Sequence, residues 1–519
     1  MNHRTITTAV RERWVAALVA FAAGAAAVAG SYAAAGFTPA YVVAPVESVL
    51  ARYIPGAFIT FAIVVLGDLG KQLSLIGATV LSMVVLGTLA GLGRAVAEEA
   101  GLPPLAGPFA GIPVWGATAA LTGRPVLSLG AGLAAALLVS IAGLAGRATR
   151  SDATSPGRRR VVGSLASLAG LGAAGWYLGN RRTPSDEPPA PPTPVPGQDG
   201  GSDSGGSGGA AADAETPGPT ETEMLLAEAE AKSFDVAGLE PLVSDEFYTV
   251  DISSIDPQVK AQDWSLSVTG AVPEETSFDY RDIIGRESTL EFSTLRCVGE
   301  RLNGKKTDNA LWEGVRVGDL LEEANVPDRC CVMARGADSF FEEFPVAALR
   351  EALLVYRMNG DLLPRAHGYP ARLVVPGHWG EIHVKWVDEL EILDEPAKGY
   401  WEKKGWHGTG PVNTVAKLYT VNDVAGGRKQ VAGHAYAGTR GIRTVEVSTD
   451  GGETWNEAEL TEELPGRAVW RQWKYEYDPP GGSHEVVVRA VDGEGTLQPE
   501  KNSGPYPSGP SGWVSETIR

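Results

Sequence analysis

Between Trp14 and about Tyr177 the chain consists of long uncharged runs of Ala, Leu, Val and Gly, and after Phe234 these give way to short apolar–polar alternations. The first pattern is that of bilayer-crossing helices, because roughly 20 consecutive apolar residues span the hydrocarbon core. Residues 14–36, 53–67, 72–93, 126–146 and 161–179 are the expected spans, the second and third joined by a polar turn at Asp68–Lys71. Residues 107–122 are apolar but short and interrupted by Gly and Pro, so a re-entrant or interfacial segment is expected there. Region 1–180 thus reads as a membrane domain of about five transmembrane helices.

Residues 181–222 lose all apolar periodicity and are rich in Pro, then Gly and Ser, the composition of a disordered linker. Glu221–Ala231 has helical character. In 234–395 strands and short helices alternate: strands are expected at Leu290–Leu295, Val374–Val375 and His383–Trp386. Helices are expected at Val315–Ala324, after a turn at Trp312–Val315, and at Pro345–Leu353. In 396–519 the runs 430–437, 441–448, 468–475 and 484–490 alternate with period two between turns. That spacing predicts an antiparallel β-sandwich of immunoglobulin type. The fold class is multi-domain: an α-helical membrane region, an α+β domain and a β-sandwich.

Charge orients these parts. Arg11 and Arg13 favour a cytoplasmic start, Lys71 an inside turn, and Arg147, Arg150, Arg158, Arg159 and Arg160 another inside loop. Five crossings then place the C-terminal part on the extracytoplasmic side of the cell membrane. Arg158–Arg160, directly before a moderately apolar segment, also resemble an internal twin-arginine export signal, with an ordinary basic anchor as the alternative. The formal net charge of −19 divides into +2 for the first 220 residues and −21 for the rest. An acidic soluble part lacks the basic footprint that nucleic acid needs.

Of the three cysteines, Cys330 and Cys331 are adjacent in a strand-like run and read either as buried strand residues or as a vicinal disulfide. No C-x-x-C spacing occurs, which argues against iron–sulfur, c-haem and zinc-finger sites. No expected span contains histidine, so a transmembrane haem is excluded as well. Cys297 stands between Arg296 and Arg301, and cationic neighbours favour the thiolate that attacks or binds metal. A cysteine that simply packs is the alternative.

The run L-R-C-V-G-E-R (Leu295–Arg301) with L-W-E-G-V-R-V-G-D-L-L (Leu311–Leu321) resembles the molybdenum-cysteine loop of the sulfite oxidase family. R-A-H-G-Y-P-A-R-L-V-V-P-G-H-W-G-E-I-H-V-K-W (Arg365–Trp386) resembles that family's pterin-holding signature, and the likeness runs from about Phe247 to the C-terminus. The resemblance implies a molybdenum–molybdopterin cofactor with Cys297 as the metal-ligating thiolate and two-electron oxygen-atom transfer as the reaction. It implies pterin contacts from Phe247, Tyr248, Thr249, Asp338, Ser339, His367, Arg372, His383, Val384 and Lys385. Arg301 and Arg440 are the implied catalytic cations for a small oxyanion or sulfoxide. Where relatives carry asparagine, arginine and tyrosine this chain has Glu300, Leu302 and Phe340, which predicts a pocket less suited to sulfite. A reductase using the same centre, and a tethered binding protein without metal, are the rival readings. An external electron-transfer partner, membrane lipid and a homodimer through the C-terminal domain are the implied partners.

Overall fold

The computed structural model describes residues 3–147, 156–184 and 219–519. Most of the expected linker, and Arg150 of the basic cluster, lie outside these residues. The chain divides into two compact units: residues 1–187 with 250–258, and residues 188–249 with 259–519.

The first unit is helical. Its helices are α1 (His3–Ala35), α2 (Val43–Tyr53), α3 (Gly56–Phe61), α4 (Asp68–Glu99), α5 (Ala106–Thr122), α6 (Pro125–Arg147) and α7 (Pro156–Asn180). Three stretches among the described residues are long and apolar enough to cross a membrane: Arg13–Ala35, Leu69–Glu99 and Pro125–Leu144. The expected span 53–67 is not one helix. Pro55 separates α2 from α3, a π-turn follows at Ala62–Leu66, and Gly67 takes φ 53°. The helix α4 starts directly after Gly67, so Asp68–Lys71 is its first turn rather than a loop. Residues 107–122 do form a continuous helix, with Pro113 inside it. At 17 residues and 1.5 Å per residue, α5 is about 26 Å long, short of the roughly 30 Å hydrocarbon core.

Helices here meet through small residues. A methyl placed on Gly30 of α1 would lie 2.2 Å from the Gly130 carbonyl of α6, and one on Gly93 of α4 would lie 1.9 Å from the Phe109 carbonyl of α5. The outward face of α4 is apolar, with Leu69, Ile76, Val84 and Leu92 all exposed.

The second unit opens with α8 (Glu221–Lys232), whose Thr220 and Glu223 cap each other's backbone N–H groups. One five-stranded sheet has the order 276–279, 265–270, 387–393, 331–336, 341–345, its second and third strands parallel. A second sheet orders 289–296, 307–316, 353–358 and 361–362, with 372–374 also on 353–358. Leu266, Val268, Trp312, Val355, Leu373 and Val384 share the core of this part. The expected turn at Trp312–Val315 is strand, because these residues sit in the 307–316 ladder, and the helix begins only at Val317. His383–Trp386 is conversely not strand: Trp386 takes φ 49°, and pairing starts at Val387.

From residue 415 on, two antiparallel sheets face each other. The first holds 415–416, 420–423, 429–436, 459–460 and 471–477, the second 442–448, 456–457, 484–492 and 514–518. Val431, Ala435 and Trp473 from one meet Val445, Val488 and Val514 from the other in a common core. Cys330 and Cys331 are bonded to each other at the start of strand 331–336. That is the sharper of the two sequence readings.

Candidate functional site

Strands 289–296 and 307–316 pair in register from Thr289↔Gly314 to Arg296↔Thr307, so residues 297–306 form the hairpin loop. Cys297 opens that loop: its N–H donates to the Lys306 carbonyl (2.9 Å), and its own carbonyl accepts from the Glu300 N–H (3.3 Å). It is half-buried and the chain's free thiol. Burial pushes the thiol up to about 11, with Lys306 pulling it down and Glu300 and Glu381 adding to the rise. The expectation that flanking arginines favour thiolate therefore fails. Arg296 lies on the other face of the strand, fully buried, with its guanidinium 4.8 Å over the Trp379 ring, and the Arg301 residue is exposed. Neighbours in sequence are not neighbours in charge.

Glu300 is the larger surprise. Rather than adding negative charge to a pocket, it is buried, accepting from Arg296 Nε (2.7 Å), Thr307 Oγ1 (2.9 Å) and the Lys306 N–H (3.1 Å). Lys417 Nζ donates to both its oxygens (2.7 and 2.8 Å). Burial draws the Lys417 pKa down to about 8 against the pull of Glu300. Leu302 packs against the core of the C-terminal sheets, and Phe340 lies 5.7 Å from Tyr400, tilted. Glu300 thus presents no uncompensated negative charge to a substrate.

The second signature gathers around Gly368, which takes φ 108° and whose missing Cβ would lie 3.0 Å from Arg372 Cβ and 3.1 Å from Lys385 Cβ. Arg372 donates through Nη1 to the His367 carbonyl and through Nη2 to the His383 carbonyl, both at 3.2 Å. Lys385 Nζ donates to the adjacent Ala366 carbonyl (2.8 Å). His383 uses its ring structurally: Nδ1 accepts from the Val375 N–H (3.1 Å), and burial pulls its pKa down to about 3. Phe247 stands edge-on to both His367 and Trp312, centroids 5.5 Å apart in each case, and stacks on Tyr248. Tyr248 donates its N–H to Asp308 (2.6 Å). Its hydroxyl would be 3.1 Å from a Cβ at Gly380, which would also touch the Arg296 carbonyl at 3.2 Å. Tyr248 and the Arg296 backbone thus both border Gly380.

Asp338 and Ser339 form the turn before strand 341–345. Asp338 Oδ1 accepts from the Phe340 N–H (2.9 Å), Ser339 takes φ 69°, and a Cβ on Gly336 would meet both Asp338 and Val384. They join the group around Lys385, whereas Thr249 is exposed. Arg440 is held by Asp492 (3.0 Å), the Val412 carbonyl (2.9 Å) and Thr414 Oγ1 (3.1 Å). The Asn413 carbonyl next to Val412 accepts from Arg296 Nη1 (2.8 Å). Sequence reasoning missed Lys417, and also three acids: Glu342, Glu381 and Glu402. Burial raises Glu381 to about 8, with Glu402 adding to the rise. Burial first, then the Glu402 carboxyl beside it, raises Glu342 well above the ordinary range.

A pterin–phosphate group bearing a thiolate-bound metal fits these residues. The thiol of Cys297 is outside any disulfide, Arg296 Nη2 is buried without a hydrogen-bond partner among the described residues, and two cations converge on the 366–367 carbonyls. Residues 253–401 match the family described as oxidoreductase molybdopterin binding domain, and residues 412–504 the Mo-co oxidoreductase dimerisation domain. The chain is 28% identical over 322 residues to a sulfite oxidase of Arabidopsis thaliana, covering 49% of this chain and 81% of that one. It is 32% identical over 232 residues to the mitochondrial sulfite oxidase of Mus musculus, covering 37% of this chain and 42% of that one. A nitrate reductase [NADH] of Phaseolus vulgaris is 25% identical over 316 residues, 47% of this chain and 36% of its own. The chain thus spans less than half the length of these last two relatives. The solved sulfane dehydrogenase SoxCD of Paracoccus pantotrophus is similar at TM-score 0.42 and 24% identity, over 56% of this chain and 87% of that one.

Proposed function

Because the chain belongs to the sulfite oxidase family of molybdopterin oxidoreductases, we propose that it ligates molybdenum through Cys297 and catalyses two-electron oxygen-atom transfer on a small oxyanion. The observation that carries this is the half-buried free thiol at the mouth of the 297–306 loop, with the Tyr248 hydroxyl and the backbone of the preceding residue both beside Gly380. The bound cofactor supplies the oxygen transfer and the two-electron change. Cys297 gives up its proton on metal binding, since thiolate rather than thiol ligates. His367, Arg372, Lys385 and the Asp338–Ser339 turn, with Phe247 and Tyr248, would hold the pterin and its phosphate. Arg301 and Arg440 orient the oxygens of the substrate, Arg440 already aligned by Asp492.

The apolar helices anchor the protein in the cell membrane with the catalytic part outside, electrons pass to an external carrier, and residues 412–504 form a homodimer through an immunoglobulin-like sandwich. A second reading, reduction of a neutral sulfoxide, is favoured by Phe340, an apolar ring where relatives of this family carry a hydroxyl. Molybdenum and pterin quantification on the full chain, followed by kinetics on sulfite and on a sulfoxide, tests the proposal. A folded protein without molybdenum from a host that makes the cofactor would sink it.

A further inference from the structure

We infer that Lys417 is a specificity-determining residue: reaching in from the C-terminal domain, it cancels the charge of Glu300 and keeps the surroundings of Cys297 receptive to anions. The inference rests on reading Cys297 as the centre of the site. Glu300 lies three residues after Cys297, linked to its carbonyl by a backbone hydrogen bond, and its side chain is 1% exposed. A carboxylate buried that deeply needs full compensation. Arg296 provides part of it but is shared with the Asn413 carbonyl and the Trp379 ring. Lys417, also 1% exposed, provides the rest, and its ammonium further donates to Thr307 Oγ1 (2.6 Å) and the Gly304 carbonyl (2.9 Å).

The lysine is aimed by its backbone. Its N–H donates to the His434 carbonyl (2.8 Å), and its carbonyl accepts from Trp473 Nε1 (3.0 Å). Tyr419 Oη donates to the Gly304 carbonyl (2.7 Å), and Asn303 Nδ2 donates to the Leu418 carbonyl (2.7 Å), so the two residues that follow Lys417 are tied to the cysteine loop. Two cations and one acid leave the cluster at a net charge of +1. Removing Lys417 alone brings it to zero, removing Glu300 alone to +2, and removing both restores +1.

Alkylation of Cys297 measures this charge without substrate or metal. The other two cysteines are bonded to each other, so the full chain offers a single thiol. The rate with anionic iodoacetate divided by that with neutral iodoacetamide cancels thiol ionisation and access, leaving the local field. In full-length protein from a host lacking the cofactor, Lys417→Met should lower the ratio, on the order of three- to tenfold for one unit charge near a protein surface. Glu300→Gln should raise it, while Lys417→Arg and the Glu300→Gln/Lys417→Met double variant should stay near wild type. A Lys417→Met ratio within twofold of wild type, or single variants shifting it in the same direction, would overturn the inference. If Lys417→Met does not fold, equal ratios in Glu300→Gln and the double variant would overturn it instead. In the loaded enzyme Lys417→Met should raise KM for sulfite by a like factor while leaving KM for a neutral sulfoxide unchanged. A chain that binds no molybdenum would refute the proposed function and leave the alkylation ratios untouched.

Discussion

Replacing Glu381 by glutamine exposes how much of this protein's stability depends on a buried proton. The carboxyl, ordinarily at 4.5, is held up to about 8, first by burial and then by Glu402. Between those values the unfolded chain releases the proton while the folded chain keeps it. The stability it contributes is therefore fully present below about pH 4.5 and is lost as pH rises through about 8. Each pH unit in that window removes about 1.4 kcal/mol, so going from about pH 5 to about pH 7.5 removes ~3 kcal/mol. Glutamine binds no proton and lacks this component. Thermal unfolding of the full chain in detergent should give similar Tm values for wild type and Glu381→Gln near pH 5. Near pH 7.5 the variant should be higher by several degrees. Other raised carboxyls, such as Asp308 at about 7, are common to both proteins and drop out of the difference. A difference between the two that is flat across this range would refute the assignment of a retained proton to Glu381.

Cys297→Ser should keep the fold and the pterin but lose turnover to below a few per cent, because a hydroxyl is a poor ligand where a soft thiolate is needed; activity together with molybdenum content checks it. Thr220→Ala should cost about 1 kcal/mol in the helix Glu221–Lys232 by deleting half of the capping box, read as faster amide exchange there. Exchanging Arg159 and Arg160 together for lysine should trap the catalytic part inside the cell if they act as an export signal; protease access in intact cells reports it, and unchanged access leaves them a topology determinant.

Much of the candidate site's layout was legible because its residues fall in short local motifs. The alternating run before Cys297 did become a strand, and His367, Arg372 and Lys385 do meet around Gly368. What escaped depends on contacts between distant residues. Lys417 stands in an apolar run where a lysine ordinarily marks a solvent-facing position, and only the fold brings it within reach of Glu300, 117 residues earlier. Arg296 looked like a partner of Cys297 until strand alternation sent it to the opposite face. The span at 53–67 failed for a local reason that could have been weighed: Pro55 and Gly67 bracket it, and both interrupt a helix.

The glycine contacts of the helical unit bear on how its cohesion responds to temperature. Where Gly30 meets Gly130 and Gly93 meets Phe109, backbones touch with no room for a methyl. In the bilayer position proposed for them there would be no water to expel from such seams, and close dispersion contact would hold the helices together instead. A large heat-capacity increment on unfolding belongs to apolar surface newly wetted by water. Pulling these helices apart inside a bilayer should therefore leave almost no such signature, while melting the two water-bounded β-sheet cores should supply nearly all of it.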